Sequence, residues 1–462
     1  LNKPDERTQT PQATSRIPDA ILGAWNGTIE VAGMPVAIVL HIDRSDAGLS
    51  ATADFPQQGR TGFAFSDVSF EQGIFRFTSR SLGVFAGAMS SDSTRIDGAC
   101  SNKEQSLPLV LRSGDIELGA LIRPQTPTPP FGYDIEHVQV DNAAAHCRLA
   151  GTLTVPTDRR LRAVALLING SGALDRDETV FGHKPFWVLA DHLSRRGYAV
   201  LRLDDRGIGE STGDRSTITT TDEADDMTAA LDYLQQRPEL QGIPVGLIGH
   251  SMGSSIGRIV AARRMDSAFV VSMAGAGLEM GEVMTERECQ SLERMGTDAD
   301  AIAKHREFSQ ALFRDLRDRP ADTSIDAAQI AVIAARFGAA DTAASMGVEA
   351  WINRYNEPWF RSALRLDHAA TLRQVKAPFL AINGSLDVQV PATANLAAMA
   401  QLLQGSNHPD FEIAELPGLN HLFQTCTTGE AYAYPIIEET FAPAALETIR
   451  TWLDARFPPA TA

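Results

Sequence analysis

The sequence has no uninterrupted run of eighteen apolar residues, so no segment reads as a membrane-spanning helix. It also lacks a Lys/Arg cluster long enough to follow a phosphate backbone. The 41 basic side chains are outnumbered by 58 acidic ones, a formal charge of −17, which makes nucleic acid a poor partner. Cysteine is scarce: Cys100, Cys147, Cys289 and Cys426 stand far apart and form no zinc signature. They read as separate buried thiols, with one disulfide as the alternative. No spacing of His, Cys, Asp or Glu points to a metal, and no cofactor is expected. The chain opens on Leu1 rather than methionine. The expected reason is removal of an export signal, which implies a periplasmic or secreted protein; trimming of a cytoplasmic one is the alternative.

A chain of 462 residues has room for two or three folded units. From residue 20 to 122 it consists of short alternating runs, GTIEVAG, PVAIVLHID, GIFRFTSR, GVFAGAMS and IELGALIR, separated by turn residues. Period two without a long helical pattern predicts an antiparallel, all-β domain, a small barrel or sandwich. The stretch RPQTPTPP at 123–130 has four prolines in eight residues and predicts an extended connector. Beyond it, apolar runs such as RAVALLING, YAVLRLDD, IPVGLIG, AFVVSMAG, APFLAINGS and FEIAEL alternate with amphipathic helices. Nearly continuous apolar strands imply a mostly parallel sheet covered on both faces, spanning 131–277 and 368–458. The intervening 278–367 is too long for a simple crossover and carries several amphipathic patterns, so it is expected to form a helical cap over the carboxyl ends of the strands.

Residues 248–255 read IGHSMGSS. Ser251 lies between Gly249 and Gly253, after an apolar strand and before a helix. A serine on such an elbow needs small neighbours because the backbone turns sharply and the next helix begins beneath it. Serine attacks poorly without a base, and the base needs an orienting acid. His421, in ELPGLNHLFQ just after the last predicted strand, is the best-placed base, and Asp387, in NGSLDVQVP after FLAING, is the acid. The order serine, aspartate, histidine suits a parallel-sheet hydrolase rather than the other serine-hydrolase topologies. Stabilising the oxyanion takes two backbone N–H groups. Met252 supplies one, and the loop NGSGALDRDE supplies the other from Ser171 or Gly172. The competing readings are a turn hydroxyl, a surface aspartate and a solvent-facing histidine.

In this order the blocks NGSGALDRDE, GHKPFWVLADHLSRRGYAVLRLDDRGIGESTGD, GHSMG, NGSLDVQVP and GLNHLFQ resemble the α/β-hydrolase superfamily, in particular bacterial serine esterases with a small β-rich amino-terminal domain. The resemblance covers nearly the whole chain. It implies an α/β-hydrolase core with a mostly parallel sheet, a helical cap insertion and an all-β amino-terminal domain. It also implies hydrolysis of a small-molecule carboxylic ester, usually with a short acyl group, through Ser251, Asp387 and His421. Within it, DDRGIGES is a structural loop, with Gly207 and Gly209 shaping the turn and Arg206 paired to a carboxylate. Ser254 departs from the glycine or alanine common at its position and is expected to affect helix packing.

Trp351, Tyr355, Trp359 and Phe360, at the end of the insertion, either line an acyl or alcohol pocket or fix the cap to the core. His183, at a helix start near the oxyanion loop, is a candidate for the pocket border. A serine peptidase or amidase and an acyl-thioesterase use the same constellation, and a non-catalytic binding protein is the third alternative.

Overall fold

The computed structural model describes residues 18–459, apart from 32–33, 46–47, 56–59, 80–82, 102–105 and 115–122. The chain divides into two compact units, Leu1–Ile122 and Arg123–Ala462.

The first unit has nine strands: β1 (Gly23–Val31), β2 (Met34–Ser45), β3 (Gly48–Phe55), β4 (Arg60–Ala64), β5 (Ser66–Glu71), β6 (Ile74–Ser79), β7 (Gly83–Met89), β8 (Arg95–Ser101) and β9 (Ser106–Ser113). They form one antiparallel sheet in the order β4-β3-β2-β1-β9-β8-β7-β6-β5. Its two edge strands, β4 and β5, are consecutive in the chain; Phe65, which joins them, donates its N–H to the Ala51 carbonyl of β3 at 3.0 Å, and β5 packs beside β3, so the sheet curls towards closure. Period two sorts the side chains. Phe75, Phe77 and Phe85 are fully buried while Arg76, Val84 and Ala86 face outward. The Phe77 ring stacks on Phe65 at 4.2 Å and on Phe85 at 4.9 Å. Trp25 closes the core and donates its indole N–H to the Ile21 carbonyl. The run IELGALIR lies outside the described residues except for Arg123.

The second unit begins with the proline-rich stretch, which is not a free connector. Arg123 is buried and donates to the carbonyls of Phe181, Pro435 and Ile437 at 2.7–2.8 Å. Gln125 bridges to the backbone of Thr440 and Phe441. Prolines leave few N–H groups to satisfy, but a guanidinium with three carbonyl acceptors fixes the segment in place.

Eight strands follow: β10 (Tyr133–Asn142), β11 (Cys147–Pro156), β12 (Ala163–Ile168), β13 (Tyr198–Leu203), β14 (Val245–His250), β15 (Val270–Met273), β16 (Phe379–Gly384) and β17 (Phe411–Leu416). The order is β10-β11-β13-β12-β14-β15-β16-β17, and the six strands from β12 to β17 pair in parallel. The antiparallel hairpin β10–β11 joins at β13. Strand β12 is buried at every position because the sheet is covered twice. Val164, Leu166 and Ile168 enter one core, with helices Thr220–Gln236, Met252–Arg263 and Ala392–Gly405. Ala163, Ala165 and Leu167 enter the other, with helices Pro185–Ser194 and Pro443–Arg456.

Because β12 lies between β13 and β14, the chain leaves it in one direction and later returns to its other side. This reversal opens a crevice at the carboxyl ends of β12 and β14.

Between β15 and β16 run the insertion helices, the longest being Met280–Arg294 and Ala299–Asp318. They share an apolar core built on Phe308, Leu312, Tyr355, Phe360 and Leu364, which also takes in Ile218 from below. Polar contacts pin the cap, among them an Arg294–Glu430 ion pair at 2.6 Å. The Trp359 indole N–H donates to Glu223 at 2.8 Å, and the Thr220 N–H donates to Ser362 Oγ at 2.9 Å. All four cysteines are free thiols, and Cys100, Cys147 and Cys289 are buried.

Candidate active site

Ser251 follows β14 at φ 53° and ψ −118°, a backbone conformation that costs a non-glycine residue roughly 1–3 kcal/mol and is kept only where the surroundings enforce it. The surroundings here are the two glycines. A Cβ on Gly249 would lie 2.1 Å from the Gly253 carbonyl oxygen, and one on Gly253 would lie 2.1 Å from that of Ile168. Ser254 uses its hydroxyl to bond Ser272 Oγ of β15 at 2.5 Å, fixing the first turn of the helix to the sheet.

His421 lies in the loop after β17, and its Nδ1 is 2.7 Å from Asp387 Oδ2. Both side chains are nearly inaccessible, Asp387 completely. The other Asp387 oxygen accepts the N–H groups of Gln389 and Val390 at 2.8 and 2.9 Å, so the carboxylate is oriented at both oxygens. That arrangement places a proton on Nδ1 and leaves Nε2 to act as a base. The imidazoles of His421 and His250 are 4.9 Å apart, so His421 lies against the residue that precedes Ser251. No hydrogen bond joins Ser251 to His421 in this geometry; such contacts tighten when substrate binds.

A second acid–imidazole pair lies beneath the first. His250 Nε2 donates to the backbone carbonyl of His421 at 2.9 Å, and Nδ1 is 2.9 Å from Glu178 Oε1. The same Glu178 oxygen accepts the Gly170 N–H at 2.8 Å. Burial alone would lower the His250 pKa, but the Glu178 charge, its hydrogen bond and the His421 carbonyl outweigh it and raise the value. One buried pair thus connects the oxyanion loop, the elbow and the histidine loop. Gly170 is committed to Glu178, but among the described residues the N–H groups of Ser171 and Met252 have no protein acceptor. Ser171 and Met252 share a cavity of about 270 Å³ with Ser251. Gly172 does not line this cavity; its carbonyl accepts from Arg215, and its φ of 129° shapes the loop.

The cap supplies the apolar wall of the cavity, through Met280, Val283, Met284, Trp351, Trp359 and Phe360. Arg287 and Arg354 also line it. Tyr355 does not: it is 1% exposed, packs edge-on against Phe313, and borders a neighbouring cavity.

The serine aminopeptidase S33 family, Hydrolase_4, matches residues 186–319. Esterase EstD of Thermotoga maritima is 32% identical over 149 residues, which are 32% of this chain and 35% of that protein. The chain thus spans about a third of the length of the curated relatives it matches. Among solved structures, the Pyrococcus furiosus esterase Pf2001 superposes with a TM-score of 0.44 at 13% identity, over 70% of this chain and 92% of that one. Est1E from Butyrivibrio proteoclasticus, with ferulic acid bound, gives 0.41 at 15% identity, over 69% and 99%.

The second unit has an α/β-hydrolase core.

His183 lies away from the cavity. It is 1% exposed, bonded to Thr440 Oγ1, the Tyr434 carbonyl and Gln424, and burial first, then Arg123, lowers its pKa to about 4. A tight bridge between Val180 and His183 turns the ring towards the chain's last loop, so it is a neutral structural residue. The DDRGIGES loop is structural too. Arg206 pairs with Asp226 at 2.7 Å, and Asp204 with Arg176 at 2.6 Å. Asp205 accepts from Asn169 and the Leu174 N–H, holding the oxyanion loop from below.

Glu178 and Asp205 were not singled out from the sequence. The signal for Glu178 is NGSGALDRDE itself, whose acidic residues follow a glycine turn closely enough to bond back to it, whereas Asp205 lies in DDRGIGES, 35 residues beyond that turn's Gly170.

Proposed function

We propose that the protein hydrolyses carboxylic esters of short acyl chains by way of an acyl-enzyme on Ser251. The observation that carries this reading is the buried Asp387–His421 pair beside a strained serine elbow, opening on a cavity with two uncommitted backbone N–H groups. His421 Nε2 takes the Ser251 proton as Oγ attacks the ester carbonyl, and Met252 and Ser171 donate to the oxyanion. Collapse of the tetrahedral adduct expels the alcohol, which takes the proton from His421 as it leaves. Water then repeats the sequence on the acyl-enzyme, with Asp387 holding the imidazole tautomer.

The matching family's name suggests an aminopeptidase as the second reading. An aminopeptidase has to hold a substrate ammonium group, which calls for a carboxylate. Among the described residues the Ser251 cavity is lined by two arginines and no Asp or Glu, which favours the ester. The test is a panel of nitrophenyl esters of graded acyl length, run beside aminoacyl anilides and acyl-thioesters. Ester turnover well above that of the other two classes is the expected result; anilide turnover exceeding it would replace the proposal with a peptidase.

A further inference from the structure

The Ser251 cavity carries positive charge that the proposed ester chemistry does not use. Arg287, on the helix Met280–Arg294, is half-buried in the cavity wall between apolar neighbours, Val283 and Met284 one turn before it. Among the described residues it makes no ion pair and no hydrogen bond. The two carboxylates that flank it in sequence are committed elsewhere, Glu286 to Arg306 at 2.7 Å and Glu288 to Ser309 at 2.6 Å and His305 at 3.2 Å. Arg354, the other cation of the lining, is engaged: it pairs with Glu357 at 2.6 Å and lies over the Trp359 ring at 4.7 Å.

A third guanidinium lies under the cavity floor. Arg258 is fully buried and donates to three groups that are all neutral: Ser255 Oγ, the Ala276 carbonyl and His368 Nδ1. Glu279 is within electrostatic reach but forms no ion pair with it. Because arginine can only donate, His368 Nδ1 accepts and its proton is on Nε2. Burial, then the charge of Arg258, keeps the ring neutral, with its pKa lowered to about 3. That Nε2–H is buried and has no partner, and Ser255, Ala276 and His368 all line the cavity. The surroundings of Ser251 are therefore cationic and rich in donors in a chain whose formal charge is −17. Buried cations without carboxylates are costly, and their natural complement is an anion that arrives with the substrate.

We infer that the substrate ester carries an anionic group, in the simplest case a second carboxylate, which Arg287 binds within the Ser251 cavity. This rests on the esterase reading for the position of the scissile bond, but the anion site stands on the lining itself. Arg287 is a specificity residue: it takes no part in proton transfer and selects which ester is presented to Ser251.

The test compares matched pairs of esters. On the acyl side, the 4-nitrophenyl monoester of adipic acid is set against 4-nitrophenyl hexanoate. On the alcohol side, 4-acetoxybenzoate is set against its methyl ester. The expected result is a kcat/KM ratio of charged to neutral ester of about 10- to 100-fold in one of the two series, the range of a charge-assisted hydrogen bond. Arg287→Gln brings that ratio close to one and Arg287→Lys restores part of it.

A calorimetric arm is independent of turnover. Ser251→Ala protein is expected to bind monomethyl adipate at least about tenfold more tightly than the Ser251→Ala, Arg287→Gln double variant. A ratio at or below one in both series, or a preference unchanged in Arg287→Gln, overturns the inference. If no ester is turned over but binding still depends on Arg287, the esterase reading fails and the anion site stands.

Discussion

Glu178→Gln perturbs a buried charge that connects the loops of the proposed site without belonging to the proposed triad. The glutamine fits the same space, and its oxygen still accepts the Gly170 N–H. His250 is then neutral. Its single proton stays on Nε2, facing the His421 carbonyl, so Nδ1 and the amide oxygen meet lone pair to lone pair where the structure has a 2.9 Å contact. Losing one hydrogen bond to a charged group costs about 1.5–3 kcal/mol, and Glu178→Ala costs more, because it also leaves the Gly170 N–H without its acceptor. At roughly 2–4 °C per kcal/mol for a large domain, Glu178→Gln lowers Tm by several degrees.

The catalytic effect is separable from this. The pair holds Gly170, next to the proposed oxyanion donor Ser171, and the carbonyl of the proposed base His421. A displacement of about 1 Å there is worth up to 100-fold in rate. The expected result is a kcat lowered about 10- to 100-fold with KM changed little, measured on a short nitrophenyl ester well below the lowered Tm. The pair also gives stability a pH dependence. The His250 pKa is raised in the folded state, so its contribution is complete below the ordinary histidine value near 6.5 and is lost as pH rises through the folded value. The Tm gap between wild type and Glu178→Gln should therefore narrow at alkaline pH. A variant with wild-type kcat and only a lower Tm would refute the coupling and leave the pair a structural filler.

Ser251→Ala should lower ester turnover by several orders of magnitude with the fold intact, and a fluorophosphonate should label Ser251 alone, as read by mass spectrometry. Asp387→Asn keeps an oxygen for the Gln389 and Val390 N–H groups but presents an amide to His421; kcat should fall about 10⁴-fold at unchanged Tm, the signature of a wrong tautomer. Trp351, 39% exposed, and Trp359, 6% exposed and bonded to Glu223, should separate in their effects. Trp351→Ala shifts the acyl-length profile at little cost in Tm, whereas Trp359→Ala alters both, checked by kinetics on the graded esters beside calorimetry. Burial pushes the Glu223 carboxyl up to about 7 from an ordinary 4.5, so the folded state holds its proton more tightly and loses stability as pH rises through 7. Glu223→Gln should accordingly raise Tm at pH 8, with the gain gone near pH 4.5.

The sequence by itself determined the features that depend on local pattern. An apolar run such as AVALLI is legible as a strand covered on both faces because each of its six residues is buried. The elbow is legible because only glycine fits 2.1 Å from a neighbouring carbonyl oxygen, so Gly249 and Gly253 mark Ser251 from either side. Asp387 and His421 are legible as candidates for the acid and base because in a parallel sheet functional loops leave the carboxyl ends of strands, and both stand just past β16 and β17.

Only the tertiary structure decided what meets across those loops. His183 is close to the oxyanion loop in sequence, yet a bridge at Val180 turns it towards Thr440. Tyr355 shares a segment with Trp351 and Trp359, yet its ring belongs to the cap core, since a helical stripe records which face is buried and not what it is buried against. Arg258, Arg287 and His368 come from three distant segments, each an ordinary polar residue on a helix. The charge of the two arginines and the free N–H of His368 become properties of the cavity only when the chain folds, because electrostatic character depends on distance and burial, and neither is written in residue order.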